Sequence, residues 1–227
     1  MSKSLKLVVF DCDGTLVDSQ HMIVAAMREA YRAHDMAVPD RASLLSIVGL
    51  SLHEAFHVLG GGDPGFPVTS LVDRYRTAFF ALRAAGVHLE PLFPGARETV
   101  EMLGARREIV MAIATGKSRR GVNAVLGRHG LLDCFQIVKT ADDAPSKPDP
   151  TMVVDAMREA GVDAADTVVV GDTSYDMAMA AAAGAAGVGV TWGYHSREAL
   201  RQAGARKVIE DFAALAPALD MMWVGQR

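Results

Sequence analysis

The stretch that decides the fold is residues 8–19, Val-Val-Phe-Asp-Cys-Asp-Gly-Thr-Leu-Val-Asp-Ser. It continues an apolar run from Leu5 to Phe10, which predicts a buried strand. Asp11 and Asp13 follow directly, and because side chains alternate along an extended chain, both carboxylates point to one face. Two carboxylates this close repel each other unless a cation lies between them. An Asp-Gly turn at a strand end would also explain the pair, so the rest of the chain decides between the two interpretations.

The composition predicts a sizeable hydrophobic core and no affinity for nucleic acid. At 227 residues, 50% of them hydrophobic and 22% charged, the chain suits one large domain or one domain with a smaller insertion. A net charge of −4 offers no basic surface, so we expect no nucleic-acid partner. Cys12 and Cys134 fit a reducing compartment, and no apolar run suits a signal peptide or a membrane span. We expect a soluble cytoplasmic protein; its oligomeric state leaves no mark in the sequence.

Hydrophobic periodicity divides the chain into a helical block and an alternating block. Helical patterns alone cover about 19–35, 40–48, 51–59 and 68–85. From Pro94 onward apolar strands alternate with helices, which predicts an α/β fold with a doubly wound parallel sheet. The helical block then lies as an insertion after the first strand. We expect the later strands at 109–114, 135–138, 167–170, 187–190 and 207–209, and the later helices at 95–104, 118–129, 149–160, 174–183 and near the C-terminus.

Residues that follow the strands form the candidate site, because ligands bind beyond the carboxyl ends of such a sheet. The second strand ends in Thr115 and Gly116 at a helix start, where a hydroxyl and free amides suit a phosphate group. Lys147 lies in a proline-rich loop that restricts its backbone, which favours a functional role over a solvated charge. A later strand ends at Asp172, with Asp176 four residues on; Asp172 could instead cap the next helix, and Asp176 could instead complement its dipole.

We expect Asp172 to meet Asp11 and Asp13 at this edge of the sheet. Three converging carboxylates repel one another without a metal, and hard oxygen ligands favour Mg²⁺, which also bridges to a substrate phosphate. One aspartate can attack phosphorus and form an aspartyl-phosphate. Another can protonate the leaving oxygen and later activate water. The pattern therefore predicts phosphoryl transfer, with Lys147 among the groups that neutralise charge on the phosphoryl oxygens.

These motifs resemble those of a known family. The motifs at 11–15 (Asp-Cys-Asp-Gly-Thr), Thr115, Lys147 and 171–176 (Gly-Asp-Thr-Ser-Tyr-Asp) stand in the order found in the haloacid dehalogenase superfamily. Over nearly the whole chain the sequence resembles the phosphoglycolate-phosphatase-like branch of that superfamily, which carries a helical cap. The first motif is the most specific part of the resemblance. A single Thr and a single Lys indicate the family only when the other motifs are also present.

The resemblance implies a role for each acidic residue. Asp11 would be the nucleophile and Asp13 the general acid and base. Mg²⁺ would be held by the carboxylate of Asp11, the backbone carbonyl of Asp13 and the carboxylate of Asp172. Asp176 would not bind the ion directly; it would contact the groups that do, or reach the ion through a water molecule.

The resemblance also implies the domain organisation and the substrate class. Residues 1–17 and 93–227 would form a Rossmann-like core, and residues 18–92, called the cap below, would close over a small phosphorylated metabolite. Phosphoglycolate is the first expectation, and a hexose or pentose phosphate the next. Phosphoglycolate phosphatases often carry Asn in place of Gly116, which leaves the exact substrate open. Residues 49–52 at a helix start are either a substrate-facing loop or a plain turn.

Four other functions share part of the pattern. The segment from His53 to His57 matches the zinc motif H-E-x-x-H, but no third ligand follows, so solvated or cap-lining histidines are expected. Residues 116–118 resemble the end of a P-loop, but Met111 stands where its first glycine belongs. A phosphoacceptor receiver module also uses Asp, Thr, Lys and Mg²⁺, yet it is about half this length. A sugar-phosphate mutase, similar to β-phosphoglucomutase, shares every core residue and stays open.

Overall fold

The computed structural model describes residues 5–86 and 90–224. The strands in this part of the chain form one parallel sheet. Six strands form it, and the first lies between the second and the fourth. The carboxyl ends of these three strands therefore meet at one edge, where such sheets bind ligands. The strands are β1 (Lys6–Phe10), β2 (Ile109–Thr115), β3 (Ile137–Thr140), β4 (Thr167–Gly171), β5 (Ala186–Val190) and β6 (Ala205–Ile209).

The helices agree with the predicted division into a helical block and an alternating block. None of those described is long and apolar enough to cross a membrane. The cap contains α1 (Gln20–Arg32), α2 (Arg41–Ser46), α3 (Leu52–Leu59) and α4 (Val68–Ala84); the rest of the chain contributes α5 (Ala96–Gly104), α6 (Arg119–Arg128), α7 (Thr151–Ala160), α8 (Ser174–Ala182), α9 (Arg197–Gln202) and α10 (Leu215–Val224).

Both faces of the sheet are covered, as the apolar strands predicted. Alternate residues of β1 belong to different cores: Val8 and Phe10 pack in one, and Leu7 and Val9 in the other. Each of these four side chains is fully buried. Because period-two alternation sends neighbours to opposite faces, two separate cores flank the central strand. The doubly wound α/β fold is confirmed.

The cap has a hydrophobic core of its own. Buried side chains from its helices, among them Met27, Leu44, Phe56 and Leu71, form one cluster that is distinct from the two that flank the sheet. An amphipathic helix is stable when it buries its apolar stripe, and here the four helices bury theirs chiefly against one another. The predicted boundaries of the cap at residues 18 and 92 stay a prediction.

Two elements differ from the sequence-based prediction. The strand expected at 135–138 begins at Ile137, because Phe135 instead turns into the core and packs edge-on against Phe10 at 6.0 Å between ring centroids. The short helix α9 was not predicted. It has six residues, too few for a helical period to stand out, although Ser196 caps it by accepting a hydrogen bond from the amide of Ala199.

Candidate active site

The acidic residues of the site follow two neighbouring strands of the sheet. Asp11 and Asp13 follow β1, and Asp172 follows β4, which pairs with β1. Asp176 lies in the first turn of α8. One carboxylate oxygen from each of Asp11, Asp172 and Asp176 lies within 4.8 Å of the other two, and no other group of this kind occurs among the described residues. Oxygen donors at this spacing fit a hard divalent cation such as Mg²⁺.

Asp11 is buried, and the protein alone satisfies its carboxylate poorly. Its side chain is 1% exposed, and Oδ1 lies 2.8 Å from Nζ of Lys147. Apart from this ion pair, neither oxygen has a hydrogen-bond partner among the described residues. Burial raises the pKa of Asp11 to about 6; Lys147 opposes the shift, and Asp176 and Asp13 add to it. A cation beside the carboxylate would favour its charged form.

Asp172 is fully buried but held by two donors. The hydroxyl of Thr15 and the backbone amide of Tyr194 each donate to its carboxylate at 2.9 Å. Burial, followed by repulsion from the neighbouring carboxylates, raises the pKa of Asp172 well above its usual range. Gly14, with φ of +88°, makes room for this residue, because a Cβ there would lie 2.3 Å from Oδ2 of Asp172. The glycine of the first motif thus permits the strand ends to meet.

Lys147 forms ion pairs with both Asp11 and Asp176. Its side chain is fully buried, and Nζ lies 2.6 Å from Oδ1 of Asp176. Burial alone would lower the pKa of Lys147, but the two carboxylates raise it above its usual value. The other oxygen of Asp176 accepts hydrogen bonds from the amide and hydroxyl of Thr173 in a capping box. Asp176 therefore completes the capping box of α8, whose N-cap is Thr173, and also lies in the acidic cluster. The peptide bond from Lys147 to Pro148 is cis.

Asp13 is bound by a second lysine that the sequence analysis did not assign to the site. Nζ of Lys117 lies 2.8 and 3.0 Å from the two carboxylate oxygens, and the hydroxyl of Ser19 also donates to Asp13. The same Nζ lies 3.5 Å from the buried carboxylate of Glu90. Burial would lower the pKa of Lys117, but its acidic neighbours, Asp13 above all, raise it. The available signal was its position, two residues after Thr115 at the same sheet edge.

A cavity of about 400 Å³ opens between the cap and the edge of the sheet. Asp11, Asp13 and Thr115 line it on the core side. From the cap, three of the four residues in the predicted loop 49–52 contribute to its wall. The structure therefore brings the predicted nucleophile, the predicted acid and the predicted substrate-facing loop to the wall of one cavity. Lys147 contacts Asp11 but does not itself line the cavity wall.

The backbone of the cap loop 49–52 lies close to Gly116 of the core. A Cβ on Gly116 would lie 2.4 Å from the carbonyl oxygen of Leu50 and 2.6 Å from that of Gly49. Real Cβ atoms do not come this close to backbone oxygens, so any larger residue would push the loop away. This contact explains why this chain carries glycine at the position where the resemblance leads one to expect Asn.

Hydrogen bonds that the sequence did not indicate hold the cap against the core. The amide of Ser51 donates to Oγ of Ser146 at 2.8 Å. The carbonyl of Ser46 accepts a hydrogen bond from the hydroxyl of Tyr175 at 3.2 Å and lies 3.1 Å from Nε2 of His195. These pairs are far apart in sequence, so no local pattern could have predicted them.

The histidines of the H-E-x-x-H match lie outside the site. His53 and His57 are exposed on α3, while Ala55 and Phe56 between them are buried in the core of the cap. Neither histidine belongs to a cluster of potential metal ligands among residues 5–86 and 90–224. The prediction of solvated histidines on an amphipathic helix is confirmed.

Comparison with known proteins decides the family. Residues 8–190 match the sequence profile described as "Haloacid dehalogenase-like hydrolase", a span that contains every acidic residue of the site. The chain belongs to this family. "Probable phosphatase IndB" of Dickeya dadantii is 37% identical over 212 residues, which cover 91% of this chain and 90% of that protein. A phosphoglycolate phosphatase of Rhodospirillum rubrum is 34% identical over 217 residues, 92% and 89% of the two chains.

Solved structures agree with the haloacid dehalogenase-like assignment. The crystal structure of a hydrolase from Pseudomonas syringae is 29% identical and superposes with a TM-score of 0.83, covering 96% of this chain and 98% of the other. The resemblance drawn from four short motifs is thereby confirmed, and with it the expectation of a hydrolase. The individual roles of Asp11, Asp13, Thr115, Gly116 and Lys147 stay predictions that the geometry permits.

Proposed function

We propose that this haloacid dehalogenase-like hydrolase is a Mg²⁺-dependent phosphatase. It would release phosphate from a small phosphorylated metabolite through an aspartyl-phosphate on Asp11. The observation that carries the proposal is the environment of Asp11, a buried and poorly satisfied carboxylate beside Asp172 and Asp176 that also lines a cavity with Asp13. A carboxylate held in this way is suited to nucleophilic attack on a phosphoryl group.

The residues present fit Mg²⁺. Asp11 and Asp172 would supply charged oxygens, the backbone carbonyl of Asp13 a neutral one, and Asp176 a further carboxylate in the same cluster. When bound, Mg²⁺ neutralises negative charge on the phosphoryl oxygens and on the carboxylates around them. Burial raises the pKa values of Asp11 and Asp172, and a cation between them would favour their charged forms, which supports the proposal.

Asp11 and Asp13 would carry out two successive phosphoryl transfers, first to Asp11 and then to water. In the first, an oxygen of Asp11 bonds to phosphorus, the ester P–O bond breaks, and Asp13 gives its proton to the departing alcohol oxygen. In the second, Asp13 takes a proton from water, the water oxygen bonds to phosphorus, and the bond to Asp11 breaks to release phosphate. Thr115, the amide of Gly116 and Lys147 offset charge on the phosphoryl oxygens.

Phosphoglycolate and similar phosphomonoesters form the substrate class of this proposal. Support comes from the relatives, one named as a phosphatase and another as a phosphoglycolate phosphatase, that match over most of this chain. The free thiols of Cys12 and Cys134 support a cytoplasmic site of action, because thiols persist in reducing compartments.

Removal of the metal is expected to reduce hydrolysis to the background rate. Asp172→Asn is expected to raise the Mg²⁺ concentration for half-maximal rate by about 10- to 100-fold, because the amide keeps the shape but loses the charge. Initial rates on 4-nitrophenyl phosphate after EDTA treatment and Mg²⁺ titration measure both effects. The exposed Asp133 provides a matched control, since Asp133→Asn should leave the titration unchanged. Full activity of the metal-free protein would contradict the proposal.

Gly116→Ala is expected to lower kcat/KM by about 10- to 100-fold, because small displacements in a catalytic arrangement are costly. The added Cβ would lie 2.4 Å from the carbonyl oxygen of Leu50 and would force loop 49–52 off the core. Gly127 in α6 has open space where its Cβ would lie, so Gly127→Ala is the matched control and should retain full activity. Equal kcat/KM for both variants would show that the cap loop need not contact Gly116 for turnover.

A further inference from the structure

The side chain of Lys117 is enclosed where the cap meets the core. It lines the cavity, but it is only 8% exposed. Its Nζ lies 2.8 and 3.0 Å from the two carboxylate oxygens of Asp13 and 3.5 Å from the carboxylate of Glu90. The same Nζ lies 5.1 Å from the ring centroid of Phe79 in α4, within the range of a cation–π contact. A lysine enclosed in this way lacks the conformational freedom of a lysine at the surface.

Glu90 is the fixed end of this arrangement. Its side chain is fully buried, and Nε and Nη2 of Arg83 each donate to its carboxylate at 2.8 Å. Two parallel hydrogen bonds from one guanidinium define the orientation of a carboxylate as well as its charge state. The backbone carbonyl of Glu90 lies 2.8 Å from Nε2 of His129, which ties the same residue to the core. The carboxylate of Glu90 therefore gives Lys117 a rigid counter-charge.

The direction of the Asp13 carboxylate depends on such donors. The acidic cluster that fits Mg²⁺ contains one carboxylate oxygen each from Asp11, Asp172 and Asp176, but none from Asp13. The hydroxyl of Ser19 donates to Oδ1 of Asp13, whereas Lys117 contacts both oxygens. An ionised carboxylate has about four acceptor sites, so these contacts leave one for the leaving oxygen of a substrate.

We propose that Lys117 is a positioning residue, which orients the carboxylate of Asp13 towards the leaving oxygen, and that Glu90 keeps Lys117 in place. This inference rests on the proposed function, in which Asp13 is the acid and base, and it adds two residues to that site. A general acid must lie within hydrogen-bond reach of the atom that it protonates, so its orientation limits its efficiency. Arg83 belongs to the cap, so contact between the cap and the core would contribute to this orientation.

Two aryl esters test the inference on the full chain with Mg²⁺: phenyl phosphate and 4-nitrophenyl phosphate. They share the phosphoryl group, but 4-nitrophenolate leaves readily without a proton, whereas phenolate depends more on the acid. Because kcat/KM reports the steps from free enzyme and substrate to the first transfer, its ratio between the two esters measures the contribution of the acid.

Lys117→Met keeps the apolar stem and removes Nζ. We expect the ratio of kcat/KM for phenyl phosphate to that for 4-nitrophenyl phosphate to fall by about 10- to 100-fold, part of the usual contribution of a general acid. A general loss of folded protein lowers both rates equally and leaves the ratio unchanged. Lys139→Met is the matched control, since Lys139 pairs with Glu159 at the surface and should keep the wild-type ratio.

Two further variants test how Lys117 acts. Glu90→Gln keeps the shape of the side chain but removes the counter-charge, and the ratio should fall by about three- to tenfold. The control is Glu101→Gln at an exposed position of α5, which should keep the wild-type ratio. In a chain that already carries Asp13→Asn, Lys117→Met should lower the ratio no further, because no acid is left to orient.

An unchanged ratio in Lys117→Met would overturn the inference, even where both rates fall. A selective loss for 2-phosphoglycolate with an unchanged aryl ratio would also overturn it and would assign Lys117 to the carboxylate of that substrate. A further fall of the ratio in the Asp13→Asn background would show that Lys117 acts independently of Asp13. If Lys117→Met does not fold, Glu90→Gln decides, and a wild-type ratio there overturns the inference. All these outcomes leave the phosphatase proposal intact, whereas failure of the wild-type chain to hydrolyse any of the three esters would overturn both.

Discussion

Asp11→Asn is expected to lower kcat for every phosphomonoester by roughly 10⁴-fold or more, as is usual when a covalent nucleophile is removed. The amide keeps the shape of the carboxylate but cannot attack phosphorus, and no other described carboxylate both lines the cavity and belongs to the acidic cluster. Steady-state hydrolysis of 4-nitrophenyl phosphate at saturating Mg²⁺ measures the effect. Asp133→Asn, at an exposed position, controls for the loss of one carboxylate.

The same substitution is expected to stabilise the metal-free fold at neutral pH. Folding raises the pKa of Asp11 from 3.8 to about 6. Between these values the folded state binds more protons than the unfolded state, so the ionised carboxylate destabilises the fold above pH 6. Asn removes this cost. The gain in the urea midpoint with EDTA present should be full at pH 7.5 and should shrink as the pH falls through 6 towards 4.

These two results together separate a lost nucleophile from a lost fold. An inactive variant with an unchanged or higher urea midpoint supports the role of Asp11. A variant with wild-type kcat would refute the nucleophile assignment. Stable phosphorylation of Asp11 in the wild-type chain, without release of phosphate, would favour a phosphoacceptor module over a phosphatase.

The sequence was sufficient to predict which strand ends meet at the edge of the sheet where the candidate site lies. A parallel sheet places the carboxyl ends of its strands at one edge, so Asp11, Thr115 and Asp172 could be grouped from the apolar runs that precede them. The same rule, applied to every polar residue after β2, would have included Lys117. The sequence analysis considered only the hydroxyl of Thr115 and the backbone amides of this segment, and not the side chain of Lys117.

The contacts between the cap and the core could not be predicted in the same way. The carboxylate of Glu90 forms ion pairs with Arg83 of α4 and with Lys117, which follows β2. Neither ion pair could be predicted from hydrophobic periodicity or from the position of a strand end. Such contacts depend on how two separately packed units meet, and one sequence does not encode that as a local pattern. The resemblance predicted that residues 18–92 form a cap, but it did not predict the lining of the cavity beneath it.

Lys147→Met is expected to cost about 3–5 kcal/mol in the free energy of unfolding of the metal-free protein, the usual range for breaking a buried ion pair. Methionine preserves the apolar stem but leaves the carboxylates of Asp11 and Asp176 without the cation that now lies 2.8 and 2.6 Å from them. Urea denaturation at neutral pH in the presence of EDTA measures the loss. Lys139→Met is the matched control: Lys139 pairs with Glu159 at the surface, and such pairs contribute about 1 kcal/mol or less.

The pH dependence identifies the cause of this loss. The folded-state pKa of Lys147 is raised, so its stabilisation is complete below its unfolded value of 10.5 and declines only at strongly alkaline pH. Acid acts on its partners instead. Without Lys147 the pKa of Asp11 would rise further, because Lys147 now opposes the rise that burial causes, and the deficit should be smaller at pH 5 than at pH 7.5.

Catalysis adds an independent measurement, because Lys147 is also predicted to bind phosphate. Lys147→Met should weaken inhibition by inorganic phosphate, and kcat/KM should fall by about 10²- to 10³-fold even where Mg²⁺ restores the fold. A variant with the stability of Lys139→Met and unaltered phosphate inhibition would show that the buried lysine is neither the counter-charge of the acidic cluster nor a phosphate ligand. Loss of stability with unaltered inhibition would assign Lys147 to the fold alone.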